Sequence, residues 1–595
     1  MSQSPDLGAD GLVTFTVYSE GSQISDTFGI VSIKVHKEAN RIGRAELKIT
    51  AGDMPNNDVP ESDDDTFAPG KAISIEAGYA NKNKVIFEGI VIGHSLHIDN
   101  IQTSLNIECC DYAFPMTQFR KNRVFEDMTD SGALTAITGE YGKLSVTIDS
   151  TDAKYNNIVQ YYSTDWDFLL TKADANGLIV ITEGKKMKIS KPDFDSAPDL
   201  LVTYGECLMA FNGELNAAYQ PSGTTAVAWD VASQAIITSD GSTPSFNSQG
   251  NMTPENLAEA IGNKKMTLQS TTVPDKAALK TWADAQLLKT GLGRIRGEIQ
   301  FQGSSLAIVG SMIELAGLGK RFNGNTYVGS VIHEIEGGNW VTTVGMGLSA
   351  MNLTDTTDVS APQASGLLPG IQGLQVGKVT KIDEDPDKEN KIQVEIPLLN
   401  GEKNNVWARL ASFWASSTYG AFFIPDVGDE VVLGFFNDNP CNAVVLGSLY
   451  SSKIAPSTAL TKENFTRSIV TKSKLTMKFD EDKKVITFQT PGNNIIEIND
   501  DKKSISLTDQ NSNKIVMSDS GITIESAKSL TLKAQTEIEM SAGTNVSVKA
   551  GGNVNLKGVN IEASADAAFT AKGNAQAELS AAGQVTVKGA IVMIN

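Results

Sequence analysis

Towards the end of the chain, apolar residues return every eight positions. Ile524, Leu532, Met540, Val548 and Leu556 form one run; after a short step, Ile561, Phe569, Ala577, Val585 and Met593 form the next. A second comb runs two residues ahead, through Ile522, Leu530, Ile538, Val546 and Val554. Each octad reads apolar–polar–apolar, which puts two apolar side chains on one face of a short strand. Small or turn-forming residues such as Ser541-Ala542-Gly543 and Gly551-Gly552 then reverse the chain. A fixed repeat of this kind predicts stacked strands rather than a globular core. One such strand is too thin to bury its apolar face alone, so neighbours must cover it. The ten residues of the first comb are the expected interior of that stack.

Upstream the apolar period is two. Strands are predicted over Leu12–Tyr18, Ile30–Val35, Ala45–Ile49, Ile73–Tyr79, Val85–Ile98 and Ser104–Cys110, a β module ending near residue 111. The run Glu61-Ser62-Asp63-Asp64-Asp65 reads as a solvated loop within it. A mixed segment, 112–204, follows. In it Thr164 or Asp165 caps a helix carrying Phe168, Leu169 and Ala173 and ending near Gly177, before a strand over Leu178–Thr182. Residues 205–359 return to strands, among them Val328–Ile335 and Trp340–Val344, after a polar loop from Ser233 to Thr253. Two helices are expected there: one opening at Thr253-Pro254, and one from Asp275 to Lys289 that stops at Gly291.

Residues 360–373, rich in Gly, Pro and Ser, read as a linker. Five short strands then fall within 374–453: Leu374–Ile382, Lys391–Leu398, Val406–Ala411, Glu430–Phe436 and Ala443–Leu449, which suits an OB-type barrel. From Ser468 to Ser520 strands recur at irregular nine- or ten-residue intervals, and residues 454–595 form the final module.

Composition narrows the function. At 595 residues the chain holds several domains, and its formal charge of −20 speaks against nucleic acid or an anionic membrane as partner. No apolar run is long enough to cross a bilayer, and Met1-Ser2-Gln3-Ser4-Pro5-Asp6 lacks the features of a Sec signal. The protein is therefore expected to be made in the cytoplasm and exported, if at all, by another route. Cys109, Cys110, Cys207 and Cys441 have no metal-binding spacing and read as buried reduced thiols.

Catalytic chemistry is hard to find. His94 and His97 lie three apart on a strand and face opposite sides, and His333-Glu334 lacks the second histidine of a zinc helix. The best cation candidate, Asp383-Glu384-Asp385-Pro386-Asp387-Lys388-Glu389, lacks the turn glycine and terminal glutamate of a calcium loop, and reads as a solvated hairpin tip. No nucleophile elbow, phosphate loop or dinucleotide fingerprint appears. The chain reads as non-enzymatic, with no cofactor, no metal and no catalytic residue.

The OB unit reads Trp407-Ala408-Arg409-Leu410, Trp414-Ala415 and Gly420-Ala421-Phe422-Phe423-Ile424-Pro425-Asp426-Val427-Gly428-Asp429-Glu430-Val431. Phe435-Phe436-Asn437-Asp438-Asn439-Pro440 and Val445-Leu446-Gly447-Ser448-Leu449-Tyr450 complete it. On these residues and the order of its modules, the chain resembles VgrG, the spike of type VI secretion, and the hub-plus-spike proteins of contractile phage tails. Asp165-Trp166-Asp167-Phe168-Leu169 and the run Gly317–Gly324 with Tyr327-Val328 are similar to hub segments of that family. The lysozyme domain of some phage spikes has no room between Tyr450 and the needle strands. The His-x-His tip of others is absent, since the last histidine is His333.

The resemblance implies a mainly β protein: tandem hub β-barrels (1–111 and 205–359) around an α/β insertion (112–204), an OB-fold barrel (374–453), and an intertwined trimeric β-helix needle (454–595). Three chains wound as a triangular prism would give a rod on the order of 60 Å. The implied function is a puncturing spike, exported through the apparatus itself. Its implied partners are two further copies of the chain, an Hcp-like inner tube, baseplate proteins, separate effectors and a PAAR-like cap at Ile591, Met593 and Asn595. The spike of an extracellular or phage-like particle is the alternative within this architecture. A trimeric β-stalk adhesin is the alternative from another class, although neither a Sec signal nor a receptor-binding head is apparent.

Overall fold

The structure is a computed structural model that describes residues 2–6, 11–271, 275–355, 359–399 and 404–594. It divides into two compact units, Met1–Ser448 and Leu449–Asn595.

In the first unit, the alternating segments of both hub modules form strands, but they share one sheet. Thirteen strands are joined in the order 208–215, 295–302, 339–346, 324–336, 29–38, 44–50, 103–110, 84–98, 72–79, 13–19 and 22–23, with 200–203 and 312–316 branching off. The expected tandem barrels are thus continuous with each other. The cause is the long strand Gly324–Glu336, which pairs with Asn339–Met346 on one side and Gly29–Glu38 on the other, setting Ile335 opposite Ile33 and Ile332 opposite His36. Each half keeps its own core. One is built on Ile33, Leu47, Ile75, Phe87 and Leu105, the other on Val202, Phe301, Ile313, Tyr327 and Val344. Trp340 crosses from the second module into the first core, where it stacks on Tyr79 at 5.5 Å. Tyr79 in turn donates its hydroxyl to the Gly303 carbonyl at 3.1 Å.

The insertion has a separate core around Leu134, Ile137, Trp166, Leu169 and Val180. Its helix Asp165–Ala175 starts where Thr164 Oγ1 accepts the Asp167 N–H at 3.0 Å, and it buries Phe168, Leu169 and Ala173 as its spacing predicts. The acidic run near residue 61 is less open than expected. Pro60–Asp63 is a short helix, and Glu61 accepts the Gly52 N–H at 2.9 Å.

The helix Pro254–Ile261 opens with a capping box between Thr253 and Asn256. Helix Lys276–Leu292, capped by Asp275, packs through Leu279 and Ala283 on Ala226 and Ala228 of a small sheet. One strand of that sheet, Ala235–Asp240, lies where a loop was expected. Ser and Thr hide its alternation, but it pairs along its length with Thr224–Asp230.

Residues 375–448 form a closed five-stranded barrel. Its strands are β1 (Gln375–Lys381), β2 (Ile392–Glu395), β3 (Asn405–Leu410), β4 (Glu430–Phe435) and β5 (Ala443–Ser448), in the order β1-β2-β3-β5-β4. Val379, Val394, Ala408, Leu433 and Val445 fill it. The linker is pinned at its end, where Ile371 N–H donates to the Asp438 carbonyl at 2.8 Å.

The second unit opens with a seven-stranded antiparallel meander: β6 (Thr466–Val470), β7 (Thr476–Asp480), β8 (Val485–Gln489), β9 (Ile495–Asn499), β10 (Ser504–Thr508), β11 (Lys514–Ser518) and β12 (Gly521–Glu525). Residues 526–594 carry no paired strand.

Candidate functional site: an apolar face along the meander

The intervals in the meander are regular after all. Strand starts alternate ten and nine residues apart through Thr466, Thr476, Val485, Ile495, Ser504 and Lys514, so each hairpin pair repeats after nineteen. The turns repeat with it. On one edge Thr471, Thr490 and Asp509 accept the N–H of Leu475, Asn494 and Asn513 at 3.1, 3.3 and 2.8 Å. Lys474, Asn493 and Ser512 hold the left-handed position before each return. On the other edge Asp480 and Asn499 accept from Lys483 and Lys502 at 3.1 and 2.8 Å. These polar side chains close each turn with a local hydrogen bond, which fixes the loop length and with it the register.

That register assembles two straight rows on one face. Ile469, Met477, Phe488, Ile496, Leu507, Ile515 and Ile524 are successive cross-strand partners. Beside them run Arg467, Phe479, Ile486, Ile498, Ile505, Met517 and Ile522. The opposite face is polar, with Lys478, Thr487, Glu497 and Ser506 in line. Both rows are partly open to solvent: Phe488 is 40% and Leu507 39% exposed. Apart from Arg467, which pairs with Glu481 at 3.0 Å, the rows are aliphatic and aromatic and offer no acid, base or ligand. What they can do is bury area against another apolar surface.

The rows end on β12 at Ile524 and Ile522, the first residues of the two octad combs. Beyond them the chain bends at 527–528, 535–536, 543–544 and 551–552, then at 566–567, 574–575 and 582–583. Leu532, Met540, Val548, Leu556, Ile561, Phe569, Ala577, Val585 and Met593 are all exposed, from 46% at Val585 to 85% at Met593. A single chain brings none of them into an interior. Ile591 and Met593 are exposed as well, and Asn595 lies outside the described residues. The meander rows were missed in the sequence because their spacing alternates; read at nineteen instead of nine or ten, the repeat is visible.

Elsewhere the candidate groups are structural. Asp165, fully buried, accepts from Lys121 at 2.7 Å, Tyr141 at 2.6 Å and Gln160 at 2.9 Å, with Arg123 at 3.3 Å. Burial alone would raise its carboxyl; the hydrogen bonds and the Arg123 charge outweigh that and hold it below the usual carboxylate range. His333 is buried against Trp340 and hydrogen-bonded to Thr342 Oγ1 at 2.9 Å, and burial pushes its imidazole down to about 3. His94 meets Ser62 at 3.1 Å while His97 faces Asp99 at 3.6 Å. Asp385 spends its carboxylate on the N–H groups of Asp387, Glu389 and Lys391, at 3.1, 2.7 and 3.0 Å, and so shapes a hairpin loop. Cys109, Cys110 and Cys207 are buried thiols; Cys441, expected to be buried too, is exposed in the turn before β5. Among the described residues no helix is long and apolar enough to cross a membrane.

Known proteins resemble this chain in three stretches. Residues 375–450 match the type VI secretion system/phage-baseplate injector OB domain, and 485–552 match the phage baseplate V C-terminal trimerisation domain. The type VI secretion system spike protein VgrG3 of Vibrio cholerae is 41% identical over 51 residues, 9% of this chain and 5% of that protein. The actin cross-linking toxin VgrG1 of the same species is 31% identical over 74 residues, 12% of this chain and 7% of that one. The chain therefore spans well under a tenth of the length of these relatives. In fold, the E. coli c3393 protein, described as a component of the type VI secretion system, has a TM-score of 0.38 at 12% identity, covering 73% of this chain and 99% of its own. Ahead of both smaller domains, residues 9–337 match the Alg8 N-terminal domain, and because that match spans more than half of the 595 residues, the chain belongs to the Alg8 N-terminal domain family.

Proposed function

We propose that three copies of this chain form the puncturing spike of a contractile injection apparatus, of the type VI or phage-like kind. The observation that carries this reading is the pair of rows, apolar apart from Arg467 at the start of one of them, which ends on the first residues of the octad combs and which one chain leaves open. Three such faces turned inward make a triangular prism with an apolar axis. The meander contributes about 30 Å of it, seven strands at roughly 4.8 Å each. There each chain supplies one complete wall; in the octads the walls are built from all three chains in turn. Separating the chains would expose the whole column at once, so the rod is stiff along its axis. A stiff rod driven by a contracting sheath pierces a barrier by force, and no bond-making chemistry is needed.

In this reading the hub seats on an Hcp-like inner tube and baseplate proteins, and the protein leaves through the apparatus. Ile591 and Met593, exposed on backbone without strand partners, offer a PAAR-like cap a place to continue the β-stack. Effectors travel as separate proteins. The toxin activity named for VgrG1 belongs to that protein, and the buried roles of Asp165 and His333 favour a non-enzymatic part here.

Light scattering on the purified full chain tests the assembly and should give three times the chain mass. A folded monomer at micromolar concentration would sink the proposal.

A further inference from the structure

The OB barrel carries two apolar surfaces that the single chain leaves uncovered. Between β3 and β4 a hairpin is closed by a bridge between Ala415 and Gly420, with Ala421 N–H donating to the Trp414 carbonyl at 2.9 Å. Phe413, Trp414, Tyr419, Phe422 and Phe423 ride on it, and all are more than half exposed, Phe413 and Phe422 above 80%. Trp414 and Tyr419 meet edge to face at 5.9 Å, which stiffens the ridge. An aromatic side chain can bury roughly 150–250 Å², so these five offer on the order of 700 Å². That is close to the roughly 800 Å² each partner gives to a standard stable interface.

The second surface is the outer wall of β1, β4 and β5. Val376 and Val432 are direct partners there, as are Gly434 and Val444. Around Gly434 three side chains converge: a β-carbon built on it would lie 3.3 Å from Leu446 Cδ1, 3.6 Å from Val444 Cγ1 and 3.8 Å from Leu374 Cδ2. The glycine leaves a shallow dimple in an aliphatic patch, and Leu374 and Leu446 are at least half exposed. One surface is a ridge of rings and the other a dimpled aliphatic wall, and neither covers the other within the chain.

We infer that the aromatic hairpin of one copy packs on the β1-β4-β5 wall of the next, closing a three-membered ring at the level of the OB barrels. The inference rests on the three-copy reading above and adds to it a contact outside the needle. Two different patches on one molecule make a head-to-tail contact, which closes into a ring when the rotation per subunit permits. The occupant is a second copy on two grounds: the exposed area matches what a stable interface needs, and β5, which carries Val444 and Leu446, leads in sequence to the segment matched as a trimerisation domain.

The test is a cysteine pair in the full chain. In a Cys441→Ser background the other native thiols are buried. Phe422→Cys and Leu446→Cys together, treated with a short bis-maleimide, should give covalent dimers and trimers on a denaturing gel, while neither single variant should. Because both positions are exposed in the single chain, the substitutions do not threaten the fold. The separate double variant Trp414→Ser/Phe422→Ser should exchange subunits faster than the parent while its hub melts unchanged. If light scattering reports a trimer, yet the cysteine pair stays uncoupled and Leu446→Cys reacts freely with a monofunctional maleimide, the clasp is overturned. A monomeric parent would instead overturn the three-copy reading itself.

Discussion

Leu507→Asp separates a covered apolar face from one that merely tolerates water. Leu507 lies on β10 between its cross-strand partners Ile496 and Ile515, and is 39% exposed in one chain. If the face stays open, the new carboxylate reaches solvent and ionises normally. The loss is then the partial burial of one leucine, about 1–2 kcal/mol. If three faces meet, three carboxylates point at one axis. At a separation of about 7 Å and an effective dielectric near 20, each pair repels by roughly 2.4 kcal/mol, so the three pairs cost about 7 kcal/mol. Desolvation adds several kcal/mol for each ion. That total exceeds what most assemblies can absorb, and the variant should be dissociated at pH 8.

The pH dependence sharpens the test. Burial beside like charges raises the folded-state pKa of an aspartate, so the penalty is absent below the unfolded value near 3.9. It then grows with pH, by about 1.4 kcal/mol per unit per chain, until the folded pKa is passed. The trimer should therefore return as the pH is lowered towards 4, read by light scattering, while Ser506→Asp on the opposite face stays trimeric throughout. A Leu507→Asp protein that is trimeric at pH 8 and melts within 2 kcal/mol of the parent would refute an inward-facing row.

Further down the chain, Phe569→Asp should cost the trimer or its apical part, measured as protease cleavage after residue 526; unchanged resistance would count against the comb as an interior. Between pH 6.5 and 4.5 the hub should lose about 2–3 kcal/mol, because the unfolded chain takes up a proton at His333 while the buried imidazole, held near 3, does not. His333→Asn should flatten that slope when Trp340 fluorescence follows the unfolding. Asp165→Ala should destabilise the insertion by about 2–3 kcal/mol, since Tyr141 and Gln160 lose a buried acceptor while Lys121 and Arg123 keep only Glu140 as a charged partner. A loss below 1 kcal/mol in urea unfolding would show the network to be dispensable.

Local signals made most of this fold readable. Period-two alternation located the strands of the first hub module and of the OB barrel to within a few residues, though not Lys121–Thr129, Lys154–Ser163 or Leu208–Leu215; Thr164 and Thr253 announced two helices because an N-cap is chosen by chemistry within one turn, and apolar spacing announced a third. Contacts between distant residues were not readable. Nothing near Ile335 says that its partner is Ile33, so two modules with separate signatures gave no sign of one shared sheet. Strand Ala235–Asp240 was lost because it buries a serine, Ser239, while Ile236 stays exposed, and its partner supplies the reason to be a strand. Cys441 was misplaced because a thiol's burial is set by the turn it sits in, not by its type. In the candidate site, the octad combs stood out while the meander rows did not, since two interleaved spacings blur a period that one constant spacing displays.

The change of spacing has a physical consequence. In the meander a five-residue strand is followed by a turn whose Thr, Asp or Asn side chain accepts a backbone N–H and whose left-handed residue sends the chain back on itself. Every strand therefore finds its partner within its own chain. After Glu525 the paired strands cease, the bends shorten to two residues eight apart, and the backbone of 526–594 has no strand to pair with. Backbone N–H and C=O groups must bond somewhere, and beyond side-chain bonds near its start, such as Ala527 N–H to Asn513 Oδ1 at 3.1 Å, a lone chain leaves this stretch to water. Water satisfies those groups but leaves two combs of Leu, Ile, Val and Met exposed beside them. Adding chains repairs both defects in one step, by pairing the backbone across copies and covering the combs. It follows that the meander can form before assembly while the octads cannot. In the three-copy reading, the straight rows of the meander, ending at Ile522 and Ile524, would set the register from which the octads wind.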